Sequence, residues 1–164
     1  MKLLELRLMA FGPFTDQLLD IGDDRALHVV YGPNEAGKSS TLRAIRGLLY
    51  GMPHRSDDAH LHPSGKLRVG GTLLRDDGER LDVVRRKGRH ATLLDRSSNV
   101  VDDARMARML GGVSEVLFSN LFGLDHVTLR QGAEAMLAGG GDVGESLFDA
   151  GGARGVHLVL QELR

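Results

Sequence analysis

The sequence predicts an α/β fold, and three observations lead to that prediction. Apolar patterns typical of strands occur at 3–9, at 26–31 and repeatedly between 67 and 95. A glycine-rich loop separates the 26–31 pattern from a helical stretch that runs from about Lys38 to Tyr50. The chain has 164 residues, of which 41% are hydrophobic, and this suits one domain with a packed core.

The strands are expected to form a mixed sheet. Residues 3–9 alternate between apolar and polar, which predicts a half-buried strand, and a second short strand is expected near 17–21. The continuous apolar run at 26–31 predicts a buried central strand. An antiparallel meander around the helix of 38–50 is expected from three further segments, 67–75, 80–87 and 92–95.

The remaining segments are predicted as follows. Residues 51–65 contain two prolines and no apolar periodicity, and we expect a mobile loop there. Asp102 is placed to cap a helix that runs through about Leu110, and Ser114 can begin another. Residues 156–164 have apolar residues at helical spacing up to the last residue, which suggests a chain cut inside a longer helix.

Composition excludes several classes of protein. The absence of cysteine excludes a disulfide scaffold, a thiolate zinc site and a cysteine nucleophile. No stretch is long and apolar enough for a membrane span, and the first residues lack the apolar core of a secretory signal. We therefore expect a cytoplasmic protein that has no membrane partner.

A phosphate-binding loop is the one motif that carries specific chemistry. The sequence fits the pattern G-x-x-x-x-G-K-[ST], with an apolar run before it and a helix after it. The predicted nucleotide-binding residues are Gly32, Pro33, Asn34, Glu35, Ala36, Gly37, Lys38, Ser39 and Ser40.

Each residue type in this loop has a physical reason. Glycines allow the backbone to curl around phosphates, and consecutive N–H groups at a helix N-terminus bind anions. Lys38 can reach the β- and γ-phosphates, and the Ser39 hydroxyl suits Mg²⁺. Hydrolysis also needs a carboxylate after another apolar strand, and no apolar run followed by Asp-Glu is found. The chain is therefore expected to bind a nucleotide and turn it over slowly.

Three pieces of the sequence carry a resemblance to a known family. They are the segment 10–14 (Ala-Phe-Gly-Pro-Phe), the loop 32–40 and the segment 129–132 (Leu-Arg-Gln-Gly). Together they resemble the amino-terminal lobe of the ABC-type ATPase heads of SMC-like and SbcC-like DNA-repair proteins. The further segments 67–70, 85–88 and 121–125 look closest to the YhaN-like branch.

The resemblance implies an ATP-binding P-loop lobe with Mg²⁺ as cofactor. Gln131 matches the family glutamine that reaches the metal and the attacking water, so Gln131 and Lys38 are the implied catalytic residues. The resemblance also implies that 1–155 form one lobe of the head and that 156–164 are the first turns of a coiled coil. The acidic pair and the signature loop would belong to a carboxy-terminal lobe beyond that coiled coil. ATP would drive dimerisation of two such heads in DNA repair or DNA end processing, and a nuclease subunit is a further implied partner.

Charge and histidine content suggest two additional sites. Residues 43–100 carry twelve Lys/Arg against seven Asp/Glu, so a polyanion such as DNA could contact the basic cluster of Arg85, Arg86, Lys87 and Arg89. His54, His60 and His62 could be imagined as zinc ligands, although Asp57 and Asp58 beside them are equally well explained as solubilising charges. Arg55 could approach the phosphates if its loop folds back.

Two other functions stay open at the level of sequence. A small P-loop kinase or phosphotransferase would use Arg85, Arg86 and Arg89 as a lid, although a strand meander is poor support for one. A module that is ordered by nucleotide and binds DNA through 85–90 is the other alternative.

Overall fold

The computed structural model describes residues 1–23, 27–124, 129–130 and 134. The chain divides into two compact units, Met1–Gly112 and Val113–Arg164. The coiled-coil start expected at 156–164 lies outside the described residues. Within the described part, no helix is both long and apolar enough to cross a bilayer.

The first unit is built on a five-stranded sheet. Its strands are β1 (Lys2–Phe11), β2 (Phe14–Asp20), β3 (Arg68–Leu74), β4 (Arg80–Arg86) and β5 (Leu93–Leu94), in the spatial order β2-β1-β3-β4-β5. All pairings between these strands are antiparallel. The predicted meander of β3, β4 and β5 is confirmed, but the expectation of a mixed sheet is wrong for the described strands.

The predicted central strand at 26–31 is the reason for that difference. Residues 27–31 form no strand, and Leu27 is 88% and Tyr31 90% exposed. Both edges of β1 are already paired, with β2 and with β3, so the 27–31 run has no place beside it. An apolar run specifies a tendency to be buried, and burial in a sheet needs a neighbouring strand that the described residues do not supply.

One helix, α1 (Lys38–Tyr50), packs on the sheet and matches the predicted bounds. The helix contacts β1, β3 and β4, and its Ala44 and Leu48 are fully buried. A Cβ on Gly71 of β3 would lie 2.5 Å from Leu48 Cδ2 and 3.0 Å from the Glu5 carbonyl oxygen. Glycine at this position therefore allows the helix to approach the strand closely.

A charged cluster occupies the other face of the same strands. Arg7 of β1 donates to Asp82 of β4 at 2.6 Å and also pairs with Glu5. Gly70 makes the room, because a Cβ there would lie 2.7 Å from Arg7 Nε. Burial alone would raise the pKa of Asp82, but the hydrogen bond and charge of Arg7, with those of Arg96, outweigh it and lower that pKa.

Two further helices begin at the residues predicted to cap them. In the first unit α2 (Asp103–Leu110) starts after Asp102, whose side chain accepts from Ala104 N at 2.9 Å. In the second unit α3 (Glu115–Leu121) starts after Ser114, whose hydroxyl accepts from Leu117 N at 3.2 Å. The side-chain oxygens satisfy backbone N–H groups that have no partner inside a helix.

The α1–β3 segment, residues 51–67, includes the predicted loop of 51–65 and contains regular turns. It contains two 3₁₀ turns, Asp57–Ala59 and Ser64–Lys66. The carboxylate of Asp58 is buried in it, so the interpretation of that residue as a solubilising charge is wrong. Sequence periodicity could not reveal this, because the segment is held by bonds to distant residues rather than by a regular helix or strand.

Arg85 of β4 joins the sheet to the end of α1. It is only 5% exposed, and its guanidinium donates to the Leu48 carbonyl at 3.2 Å and the Leu49 carbonyl at 3.4 Å. It also bonds Thr92 Oγ1 at 3.1 Å and Asp103 Oδ1 at 2.8 Å. The last turn of a helix has free carbonyls, and Arg85 satisfies two of them from another element.

Replacing Arg85 tests its structural role. We expect Arg85→Ala to lower the free energy of unfolding by about 2–4 kcal/mol, because two carbonyls lose their donor and a buried side chain is removed. Urea unfolding monitored by circular dichroism measures the change. The exposed Arg89 of the same cluster serves as control, and Arg89→Ala should change stability by less than about 0.5 kcal/mol. Equal stability of the two variants would contradict the assignment.

Candidate phosphate-binding site

A cavity of about 310 Å³ lies at the N-terminus of α1. The predicted loop supplies most of its lining, and the β1–β2 turn and the α1–β3 segment supply the rest. The lining residues are Pro13, Asn34, Glu35, Gly37, Lys38, Ser39, Ser40 and His60. Six of the nine residues predicted to bind nucleotide therefore line one cavity.

The other three predicted residues form the back of the loop. The carbonyl oxygens of Gly32 and Pro33 each accept a hydrogen bond from Lys38 Nζ at 2.7 Å. Ala36 N donates to the Pro33 carbonyl at 3.3 Å. The Lys38 ammonium is thus held across the loop by two uncharged acceptors. Among the described residues Lys38 has no carboxylate partner, so its positive charge can attract an anion.

The loop backbone is curled through left-handed residues. Glu35 has φ 67° and Gly37 has φ 89°, although a residue with a Cβ seldom adopts this region. Turns with such residues make concave stretches of backbone whose N–H groups bind anions. Strain at Glu35, in the middle of the motif, agrees with a loop shaped for a ligand.

Gly37 has a positive φ, and it also lies in close contact with the side chain of Phe14. A Cβ on Gly37 would lie 2.4 Å from Phe14 Cζ, on the first residue of β2. Gly37 precedes α1, and its carbonyl oxygen accepts from Thr41 N at 2.8 Å and from Thr41 Oγ1 at 3.1 Å. The aromatic ring therefore packs directly on the backbone that begins the helix.

The two serines after Lys38 have different surroundings. Ser39 is exposed and lines the cavity, as a Mg²⁺ ligand would. Ser40 is 8% exposed, and its hydroxyl accepts from Arg43 Nη2 at 2.9 Å. Ser40 therefore connects the loop to the protein behind it, and Ser39 is the serine available to a ligand.

Two sequence predictions concern metal ions at or near this site. The described residues contain no cluster of three His, Asp or Glu side chains that could hold a metal, so the zinc hypothesis for His54, His60 and His62 is wrong. Gln131, predicted as a magnesium ligand and catalytic residue, lies outside the described residues. The exposed Ser39 hydroxyl fits a Mg²⁺ ion that also binds phosphate oxygens.

Pro13 and His60 are the two lining residues that were not among the predicted binding residues, and His60 is the one that carries an ionisable group. It is exposed, and it comes from the α1–β3 segment, twenty-one residues after Ser39 in the chain. His54 and Arg55 of the same segment do not line the cavity. No local pattern distinguishes these side chains, because their positions depend on the pairing of Asp58 with Arg43.

The four residues of the basic cluster predicted to contact DNA differ in their exposure. Arg85 is buried in the contacts described above, so its guanidinium is not presented to a polyanion, and that part of the prediction is corrected. Arg86 is half-buried and donates to the Ala91 carbonyl at 3.2 Å. Lys87 is half-buried and Arg89 exposed. Alternation along β4 explains the difference between Arg85 and Arg86, because successive strand residues face opposite sides of a sheet.

The family model described as an AAA domain matches the chain over residues 1–164. No curated protein matches the chain. The match covers the loop, the cavity and α1.

Gly37→Ala tests the packing of the loop on Phe14. We expect the free energy of unfolding to fall by about 2–4 kcal/mol, because alanine is strained at this φ and its methyl group overlaps the ring. Gly65→Ala is the matched control, since a Cβ at Gly65 meets nothing within 4 Å. Thermal unfolding of both variants measures the difference. A Gly37→Ala protein as stable as the control would contradict the geometry.

Proposed function

The chain belongs to the AAA domain family of P-loop ATPase domains, and we propose that it is the ATP-binding lobe of an SMC-like ATPase head. The observation that carries the proposal is the cavity at the N-terminus of α1. Lysine, serine, glycine and curled backbone meet there in the arrangement that binds a nucleoside triphosphate.

Each of these loop residues would make a different contribution to nucleotide binding. Lys38 places a positive charge beside the phosphates while its Nζ is oriented by the Gly32 and Pro33 carbonyls. Gly37 lets the backbone approach closely, and the N-terminus of α1 adds its partial positive charge. Ser39 would hold Mg²⁺, which would supply positive charge to neutralise the phosphates.

The exposed apolar run at 27–31 supports the presence of a second lobe. Leu27, Val29, Val30 and Tyr31 are between 62% and 90% exposed, and they directly precede the loop. Contiguous exposed apolar residues mark surfaces that another protein element covers. We propose that strands of a carboxy-terminal lobe pair with this run and bury it as the centre of a parallel sheet.

Such a lobe would also supply the carboxylates that hydrolysis needs. ATP bound between two heads would join them, and hydrolysis would remove the γ-phosphate contacts that hold the dimer. Work in DNA repair or DNA end processing is part of this proposal, and so is a nuclease partner. On this lobe, DNA contact would fall to Arg86, Lys87 and Arg89, with Arg89 the most accessible of the three.

Lys38→Ala tests nucleotide binding directly. We expect the parent to bind Mg·ATPγS in isothermal titration and Lys38→Ala to bind at least about tenfold more weakly, because a charge-assisted contact is lost. Lys66→Ala, which removes an exposed lysine outside the cavity, is the control and should bind like the parent. Lack of binding by a folded parent would refute the proposed function.

Val29→Asp tests the second lobe. Val29 is 72% exposed, so the variant should keep the stability of the isolated chain within about 0.5 kcal/mol. Its association with a carboxy-terminal lobe supplied in trans should weaken at least about tenfold, since an aspartate would be buried without a partner. Val100→Asp, exposed outside the run, is the control. Undisturbed association of Val29→Asp would contradict burial of the run by that lobe.

A further inference from the structure

The α1–β3 segment forms one wall of the phosphate cavity, through His60. Two anchors, Asp58 and His62, flank this histidine in the sequence. They tie the segment to elements that the phosphate loop itself contacts.

The first anchor is the buried carboxylate of Asp58. Arg43 of α1 donates to it twice, from Nε to Oδ2 and from Nη2 to Oδ1, each at 2.7 Å. The Asp58 carbonyl oxygen accepts from Gly12 N, in the β1–β2 turn, at 2.8 Å. A buried carboxylate is stable only when paired and hydrogen-bonded, so the segment is fixed at this point.

The second anchor is His62. Its Nε2 lies 2.8 Å from the Phe14 carbonyl oxygen and 3.2 Å from Thr15 Oγ1. Both partners belong to β2, and the Phe14 ring packs on Gly37 of the loop. The strand that supports the loop therefore also holds the segment.

His60 lies between these two anchors in the sequence, and one of its ring nitrogens already forms a hydrogen bond. Its Nδ1 is 3.0 Å from the Asp57 carbonyl oxygen, which only accepts, so Nδ1 carries a proton. Nε2 has no hydrogen-bond partner among the residues that the structure describes. As an imidazolium, His60 can donate from Nε2 to an anion in the cavity.

We infer that His60 binds the phosphate chain of the nucleotide from the α1–β3 segment, and that Asp58 and His62 position it. The inference rests on the proposed function. Lys38 and Ser39 line the same cavity and are the groups expected to meet phosphates, so a ligand group that reaches His60 there is also a phosphate. His60 is then a binding residue supplied from outside the motif.

The test uses two probes, Mg·ATPγS and inorganic tripolyphosphate, titrated into the parent chain and into His60→Ala. A phosphate contact predicts that both probes bind about tenfold more weakly to His60→Ala, by similar factors. His54→Ala is the matched control, because it removes an exposed histidine of the same segment that does not line the cavity. It should bind both probes like the parent, and His60→Arg, which restores a donating cation, should recover part of the affinity.

Asp58→Asn separates positioning from binding. It keeps the shape of the anchor but weakens its pairing with Arg43, so we expect lower affinity for both probes together with a lower Tm. His60→Ala, an exposed substitution, should lower affinity without lowering Tm.

The outcomes distinguish the inference from the proposed function. Parent-like binding of both probes by His60→Ala, with binding lost in Lys38→Ala, overturns the role of His60 and leaves the proposed function standing. Weaker binding of ATPγS alone overturns the phosphate assignment, because the contact would then be to the nucleoside. No binding by the parent overturns the proposed function and this inference together.

Discussion

The ion pair of Arg43 with Asp58 is the interaction on which the candidate site depends. It joins the first turns of α1, the α1–β3 segment and, through the Asp58 carbonyl oxygen, the turn between β1 and β2. Arg43 also donates to Ser40, so the same guanidinium holds the end of the phosphate loop. Because a buried carboxylate without its partner is costly, the three elements take their places together.

The helix that carries the loop is held at both ends by arginines. Arg43 acts near its N-terminus, and Arg85 of the sheet satisfies carbonyls at its C-terminus. Between them Leu48 packs closely against Gly71 of β3. Lys38 and Ser39 thus lie at the start of a helix that is held in place by hydrogen bonds and by packing. Such support preorganises a binding site.

The residues that precede the phosphate loop are packed differently from the helix that follows it. Four of the residues 27–31 are exposed hydrophobics, while the helix after the loop is packed against the sheet. Under the proposed function a second lobe would bury this run and bring the carboxylates for hydrolysis. The nucleotide would then lie between the cavity at the N-terminus of α1 and groups from other parts of the ATPase. Such a division couples hydrolysis to assembly, because neither side alone completes the reaction.

Much of the local structure follows from the sequence. The bounds of α1, the caps at Asp102 and Ser114, the meander and the phosphate loop were all predictable, because each depends on residues close together in the chain. The predicted central strand at 26–31 was wrong for its described residues, since strand formation needs a partner that apolar character alone does not provide. The burial of Arg85 and Asp58 was also missed, because charged side chains are usually exposed and only their distant partners make burial possible.

The sequence by itself determined which residues form a phosphate loop and that a helix follows it. Those features are local, and glycine, lysine and serine at fixed spacing suffice to encode them. Only the tertiary structure decided that Arg85 supports α1, that Asp58 anchors the α1–β3 segment and that His60 lines the cavity. Each of these depends on contacts between residues 15 or more positions apart, such as the pair of Arg43 and Asp58 and the bond from Arg85 to Leu48. Such contacts exist only once the sheet, the helix and the segment have packed together, so no local pattern can reveal them.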